Sequence, residues 1–69
     1  MALPIYVAVI VIETGQILYR GSNYQIAAQK LDPGTCFGRG ESEYKAQLRA
    51  EEWAALFRAK ARKGRRFVA

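Results

Sequence analysis

The run Ile5-Tyr6-Val7-Ala8-Val9-Ile10-Val11-Ile12 decides how the rest of this 69-residue chain must be arranged. β-Branched side chains dominate it, and these are stiff at χ1 and fit a pleated surface better than a helix. Alternate residues of a strand point to opposite faces. One face would carry Ile5, Val7, Val9 and Val11, the other Tyr6, Ala8, Ile10 and Ile12, and both are apolar. A strand apolar on both faces belongs in the middle of a sheet that is covered on both sides. The run is too short to cross a bilayer, which takes about 20 residues. No basic stretch precedes it and Glu13 follows it, so it does not carry the pattern of a secretion signal. The expected setting is cytoplasmic, with no membrane span.

Working outward, Thr14-Gly15 predicts a turn, with Gly15 free to take positive φ. Residues 16 to 20 return as a second strand. Ser22 and Gln25 stand at capping-box spacing and open a short helix that runs to about Leu31. Its apolar stripe is Tyr24, Ala27, Ala28 and Leu31, and Pro33 ends it by forcing Asp32 out of the helical region. Thr35 to Gly38 predicts a third strand. Ser42 is the expected N-cap of a second helix, with Glu43 favourable in its first turn and Gly64 as its stop. At 1.5 Å per residue this helix is a rod of roughly 30 Å.

The long helix presents two apolar stripes. Ala46, Ala50, Trp53, Ala54, Phe57 and Ala61 form the broader one, expected in the core with Trp53 and Phe57 filling the space above the sheet. Tyr44, Leu48, Ala55 and Ala59, with Leu56 beside them, form the second, which must meet the short helix, the sheet margin or another subunit. The element order is therefore ββαβα. The helical connection between the second and third strands is long enough for a crossover that returns them parallel to each other. The expected fold is α+β: a single-layer, antiparallel three-stranded sheet of order 2-1-3 with a short and a long helix. One domain spans residues 1–64, followed by a basic flexible tail, residues 65–69.

Gly38, Gly40, Ser42, Ala46, Ala50 and Ala54 fall in step with the end of a double-stranded-RNA-binding domain, which residues 38 to 55 resemble. That family closes with Gly-x-Gly-x-Ser leading into an alanine-rich helix and sets lysines at the helix start to hold phosphates. Glu43, Tyr44 and Gln47 stand at those places here, and the short helix lies between the second and third strands instead of before the first. Membership, and duplex RNA as the ligand, are not carried over.

The chain offers little to catalysis. It has no histidine, and Cys36 is its only cysteine, so neither a disulfide within the chain nor a zinc site can be assembled. Cys36 lies in an apolar strand and reads as a small buried hydrophobe. Glu51 and Glu52 are adjacent, about 100° apart around the helix, and suit surface pairing with Lys45, Arg49 or Arg58 better than shared acid–base work. Gly38-Arg39-Gly40 lacks the lysine-serine/threonine ending of a phosphate loop and reads as a sharp turn from strand to helix. The expectation is a binding protein and not an enzyme, with no catalytic residue, no metal, no cofactor and no small-molecule substrate.

Charge supplies the one pointer to a partner. Of eleven basic residues, six (Arg58, Lys60, Arg62, Lys63, Arg65 and Arg66) lie in the last twelve positions, where there is no acidic residue. The remainder of the chain holds five basic residues against six acidic ones, so the formal charge of +5 belongs to one end. Cations near a helix C-terminus complement its dipole, but Gly64-Arg65-Arg66 exceeds what capping asks for. Two readings follow. In the first, the six cations meet nucleic-acid phosphates, with Phe67 available to stack. In the second, the chain is a protein-interaction or homodimerisation module that uses Tyr44, Leu48 and Leu56 or an exposed sheet face.

Overall fold

The computed structural model describes residues 5–68, with side chains through residue 61. Its elements are β1 (Tyr6–Val11), β2 (Ile17–Gly21), α1 (Tyr24–Lys30), β3 (Thr35–Gly40) and α2 (Glu43–Val68). The sheet has the order β2-β1-β3, and β1 runs antiparallel to both neighbours. The double-faced apolar run is thus the central strand, as its composition requires, and Val7, Ala8, Val9 and Ile10 are all buried. Each helix takes one face. Ala8, Ile10 and Cys36 meet Ala46, Ala50 and Ala54 of α2 in one core, while Val7 and Val9 meet Ala27 of α1 in the other.

Turn chemistry follows the sequence closely. Gly15 sits at φ 77°, the only positive φ among the described residues, and its N–H donates to the Val11 carbonyl at 2.8 Å. After α1, the Asp32 side chain accepts from the Gly34 N–H at 2.8 Å while its carbonyl accepts from the Thr35 N–H at 3.1 Å. Ser42 caps α2, its hydroxyl accepting from the Lys45 N–H at 3.1 Å.

Four expectations are corrected, the last of them the turn expected at Gly38-Arg39-Gly40, which is the end of a strand. The cap of α1 is Asn23, not Ser22: its side-chain oxygen accepts from both Gln25 N–H (3.0 Å) and Ile26 N–H (3.2 Å), two free donors that Ser22 is one residue too early to reach. Gly64 does not end α2, which continues to Val68. A helical glycine costs only about 1 kcal/mol relative to alanine, and no proline follows to enforce a break. The tail expected over residues 65–69 has its side chains outside the described residues. Trp53 and Phe57 do not fill the core: they stay 45% and 42% exposed, and Ala61 is exposed as well.

The third correction has its cause in β3. Gly38 and Gly40 lie within this strand on the face turned towards α2, rather than in a turn after it. A Cβ on Gly38 would stand 2.3 Å from the Ala50 backbone nitrogen and 2.7 Å from the Ala46 carbonyl oxygen; one on Gly40 would stand 2.8 Å from the Ala46 nitrogen. The helix therefore rests its backbone almost on the strand's backbone. Only alanine fits at the point of closest approach, and larger side chains are displaced to the flanks of the helix. Beyond Ala54 no described residue of α2 is buried, so the helix overhangs the sheet. The molecule measures 52 × 19 × 18 Å, with a radius of gyration of 13.4 Å against about 11 Å for a compact chain of this length.

Candidate interaction surface along the third strand

α1 is only seven residues long and buries a single side chain, Ala27. It covers β1 and β2 and leaves the β3 side of that sheet face open. Phe37 projects there from β3 and is 45% exposed; Leu31, at the end of α1, is 41% exposed. Val7, Val9, Tyr24 and Ala28 complete a shallow depression of about 370 Å³ between α1 and β3.

On the opposite face, the flank of α2 that overhangs the outer edge of β3 carries Arg49, Trp53 and Phe57. The two rings stack with centroids 6.1 Å apart and planes 28° from parallel, one helical turn from each other. These side chains and Phe37 border a single groove of about 860 Å³ that follows the outer edge of β3. Arg39, Glu41 and Arg49 bring charge to a lining otherwise rich in carbon.

The other flank of α2 is closed by polar contacts. Arg20, on edge strand β2, donates from Nη1 to the Gln47 side-chain oxygen at 2.7 Å and lies 3.4 Å from the Glu43 carboxylate. There Glu51 also accepts from Gln47 at 3.3 Å, whereas on the groove side Lys45 pairs with Glu41 at 3.4 Å and Arg49 with Glu52 at 3.6 Å. Each of these ion pairs is exposed, so each contributes no more than about 1 kcal/mol.

The candidate residues of the sequence fall into two groups. Tyr44, Leu48 and Leu56 lie on the outward side of α2, 66%, 40% and 54% exposed. Arg58 and Lys60 are exposed and make no ion pair among the described residues. The side chains of Arg62, Lys63, Arg65 and Arg66 lie outside the described residues. Phe37, Trp53 and Phe57, which border the groove, were not among the candidates; the Gly-x-Gly of β3 was the signal that the helix sits too close to admit its own aromatic residues.

Cys36 is buried, and its thiol donates to the Ala50 carbonyl at 3.4 Å. Burial pushes its pKa up, an effect that the positive charge of Arg58 only partly offsets. The thiol is held protonated and in the core, which is the arrangement of a packing residue rather than a nucleophile. Among the described residues no three metal-ligating side chains cluster, and no helix is long and apolar enough to cross a membrane. No family model, curated protein or solved structure matches the chain.

Proposed function

We propose that the chain is a non-enzymatic docking module whose partner is another protein, bound where α1 leaves the sheet open and along the adjoining groove. The observation that supports this is the placement of Phe37, Trp53 and Phe57: three large apolar side chains, each more than 40% exposed, surround one strand of a very small protein. Aromatic side chains grouped around a concavity are what protein interfaces concentrate. Exposed single apolar residues would need no explanation, but a contiguous set along a groove does. The test compares proteins retained from the cells that carry the gene by the wild-type chain and by the exposed-site variant Phe37→Glu/Trp53→Glu. A partner held by the first and lost by the second, with both folded, supports docking here; equal retention overturns it.

A second reading is favoured by the charge. Arg58 and Lys60 extend into solvent with no carboxylate partner among the described residues, on the part of α2 that overhangs the sheet. A polyanion such as nucleic acid would meet them together with Arg62, Lys63, Arg65 and Arg66 of the same helix. Its affinity for an oligonucleotide would fall with salt at a log–log slope of about 0.9 per phosphate neutralised. A salt-independent affinity, or none at 50 mM salt, excludes this reading.

A further inference from the structure

The backbone of β3 has one side bonded and one side free, and the hydrogen bonds at its start set which residues face which way. Ile12 N–H donates to the Gly34 carbonyl at 2.9 Å, while Val11 N–H donates in the other direction, to Gln16 of the β2 side, at 2.9 Å. Even-numbered residues of β1 therefore turn their backbone groups towards β3. Their partners in register are Cys36, Gly38 and Gly40. In an antiparallel ladder the intervening residues direct N–H and C=O away from the partner strand. These are Thr35, Phe37 and Arg39. Thr35 N–H is taken by the Asp32 carbonyl at 3.1 Å, but both backbone groups of Phe37 and of Arg39 have no partner among the described residues.

The two edges of the sheet differ in how well they are guarded. β2 is shorter, its ladder is interrupted by an irregularity opposite Val9 and Ile10, and Arg20 ties it to α2. β3 pairs in unbroken register from Thr35 to Gly40 and contains no proline and no bulge. A regular edge of this kind is a template for a further strand. Aromatic residues stand on both sides of the vacancy, Phe37 below and Trp53 with Phe57 above, ready to receive alternate side chains of whatever pairs there.

We infer that β3 accepts an extended segment of a different protein as a fourth strand, with apolar residues at alternate positions and an acidic residue facing Arg39. This deepens the docking reading and rests on it. A segment of another protein fits this edge better than a second copy of the chain. Two copies joined β3 to β3 about a two-fold axis would carry both α2 helices on the same side of the joint sheet. Because α2 rests so close to β3 that a Cβ built at Gly38 or Gly40 would stand within 3 Å of its backbone, the two helices would crowd each other above joined strands only ~5 Å apart. Packed helices need about 8–10 Å. A lone strand with no helix above it meets no such obstruction. Arg39 is exposed and forms no ion pair among the described residues, so an acidic neighbour is the charge it lacks.

The experiment selects binders for the full chain from a random linear dodecapeptide library and remakes the best as peptides N-methylated at one position at a time. Trp53, the only tryptophan, reports binding by fluorescence. Strand addition predicts that methylation weakens binding about tenfold at alternate positions and hardly at all between them, with the Phe37 and Arg39 amide protons moving downfield on binding. Arg39→Pro, which removes an outward N–H that β1 does not use, should abolish binding. Should that variant fail to fold, the methylation pattern and the two amide shifts decide alone. Peptides that bind without the alternation, or leave the two amides unmoved, overturn strand addition while the docking reading stands. No selected peptide at all, with dT20 quenching Trp53 instead, overturns both in favour of a single-stranded nucleic acid in the groove.

Discussion

Gly38 carries more of the architecture than any large residue of the chain, because what it lacks allows α2 to touch the sheet. A methyl group there would meet main-chain atoms of Ala46 and Ala50 that have no rotamer to retreat into. Gly38→Ala should therefore destabilise by about 3 kcal/mol, the upper end of what overpacking costs, and chemical denaturation would measure it. An unchanged midpoint would mean that the helix can lift from the strand. Cys36, beside this contact, gives a pH signature. Its folded pKa is raised, so the unfolded chain releases the proton first, from about pH 9.0 upward, and stability falls as pH rises through and beyond that point. Cys36→Ala should lose this component of the alkaline decline while leaving the neutral-pH profile level; identical slopes above pH 9.0 for both proteins would show that other groups cause it. Asn23 teaches a smaller lesson. Ser22 and Asn23 are both good caps, and only the helix start, set by the end of β2, chooses between them.

At the scale of elements, what could be read from the chain was what periodicity encodes. The central strand, the order of elements and the crossover follow from apolar faces and connection length. The distance between layers does not, since a hydrophobic stripe says which side of α2 turns inward but not how near the sheet it comes. That is why Ala46, Ala50 and Ala54 were rightly placed in the core and Trp53 and Phe57 were not. The Gly-x-Gly and alanine run that resembles another family's closing segment is here a device for close strand–helix packing, and its residues serve geometry before any ligand. The overhanging part of α2 makes a further prediction. From Ala55 to Ala61 no side chain is buried, and isolated helices of this length are marginal in water. Amide hydrogen exchange should show protection through Ala54 and fall sharply after Phe57. Equal protection to residue 61 would require an assembly that covers the overhang.

For the whole molecule, the surfaces that would join copies of the chain are distinguishable. Pairing of β3 with itself would crowd the two α2 helices, whereas the outward side of α2 around Tyr44, Leu48 and Leu56 is open to a second copy. Leu48→Asp places a charge where 40% of a leucine is already exposed, so it should change stability by under about 1 kcal/mol. If the wild-type chain sediments as a dimer, this variant should sediment as a monomer, and an unchanged dimer would remove that side from consideration. The sequence displayed the cationic end but not its setting, because charge counts do not report that the cations continue a helix beyond the body that supports it. One practical result follows from the 52 Å long dimension against widths of 19 and 18 Å. A prolate particle tumbles and migrates as though it were heavier than its 7.7 kDa, so a lone copy will elute from a calibrated column where a globular protein of greater mass is expected. Retention volume would then count one molecule as two, and light scattering or sedimentation equilibrium is the measure that counts correctly.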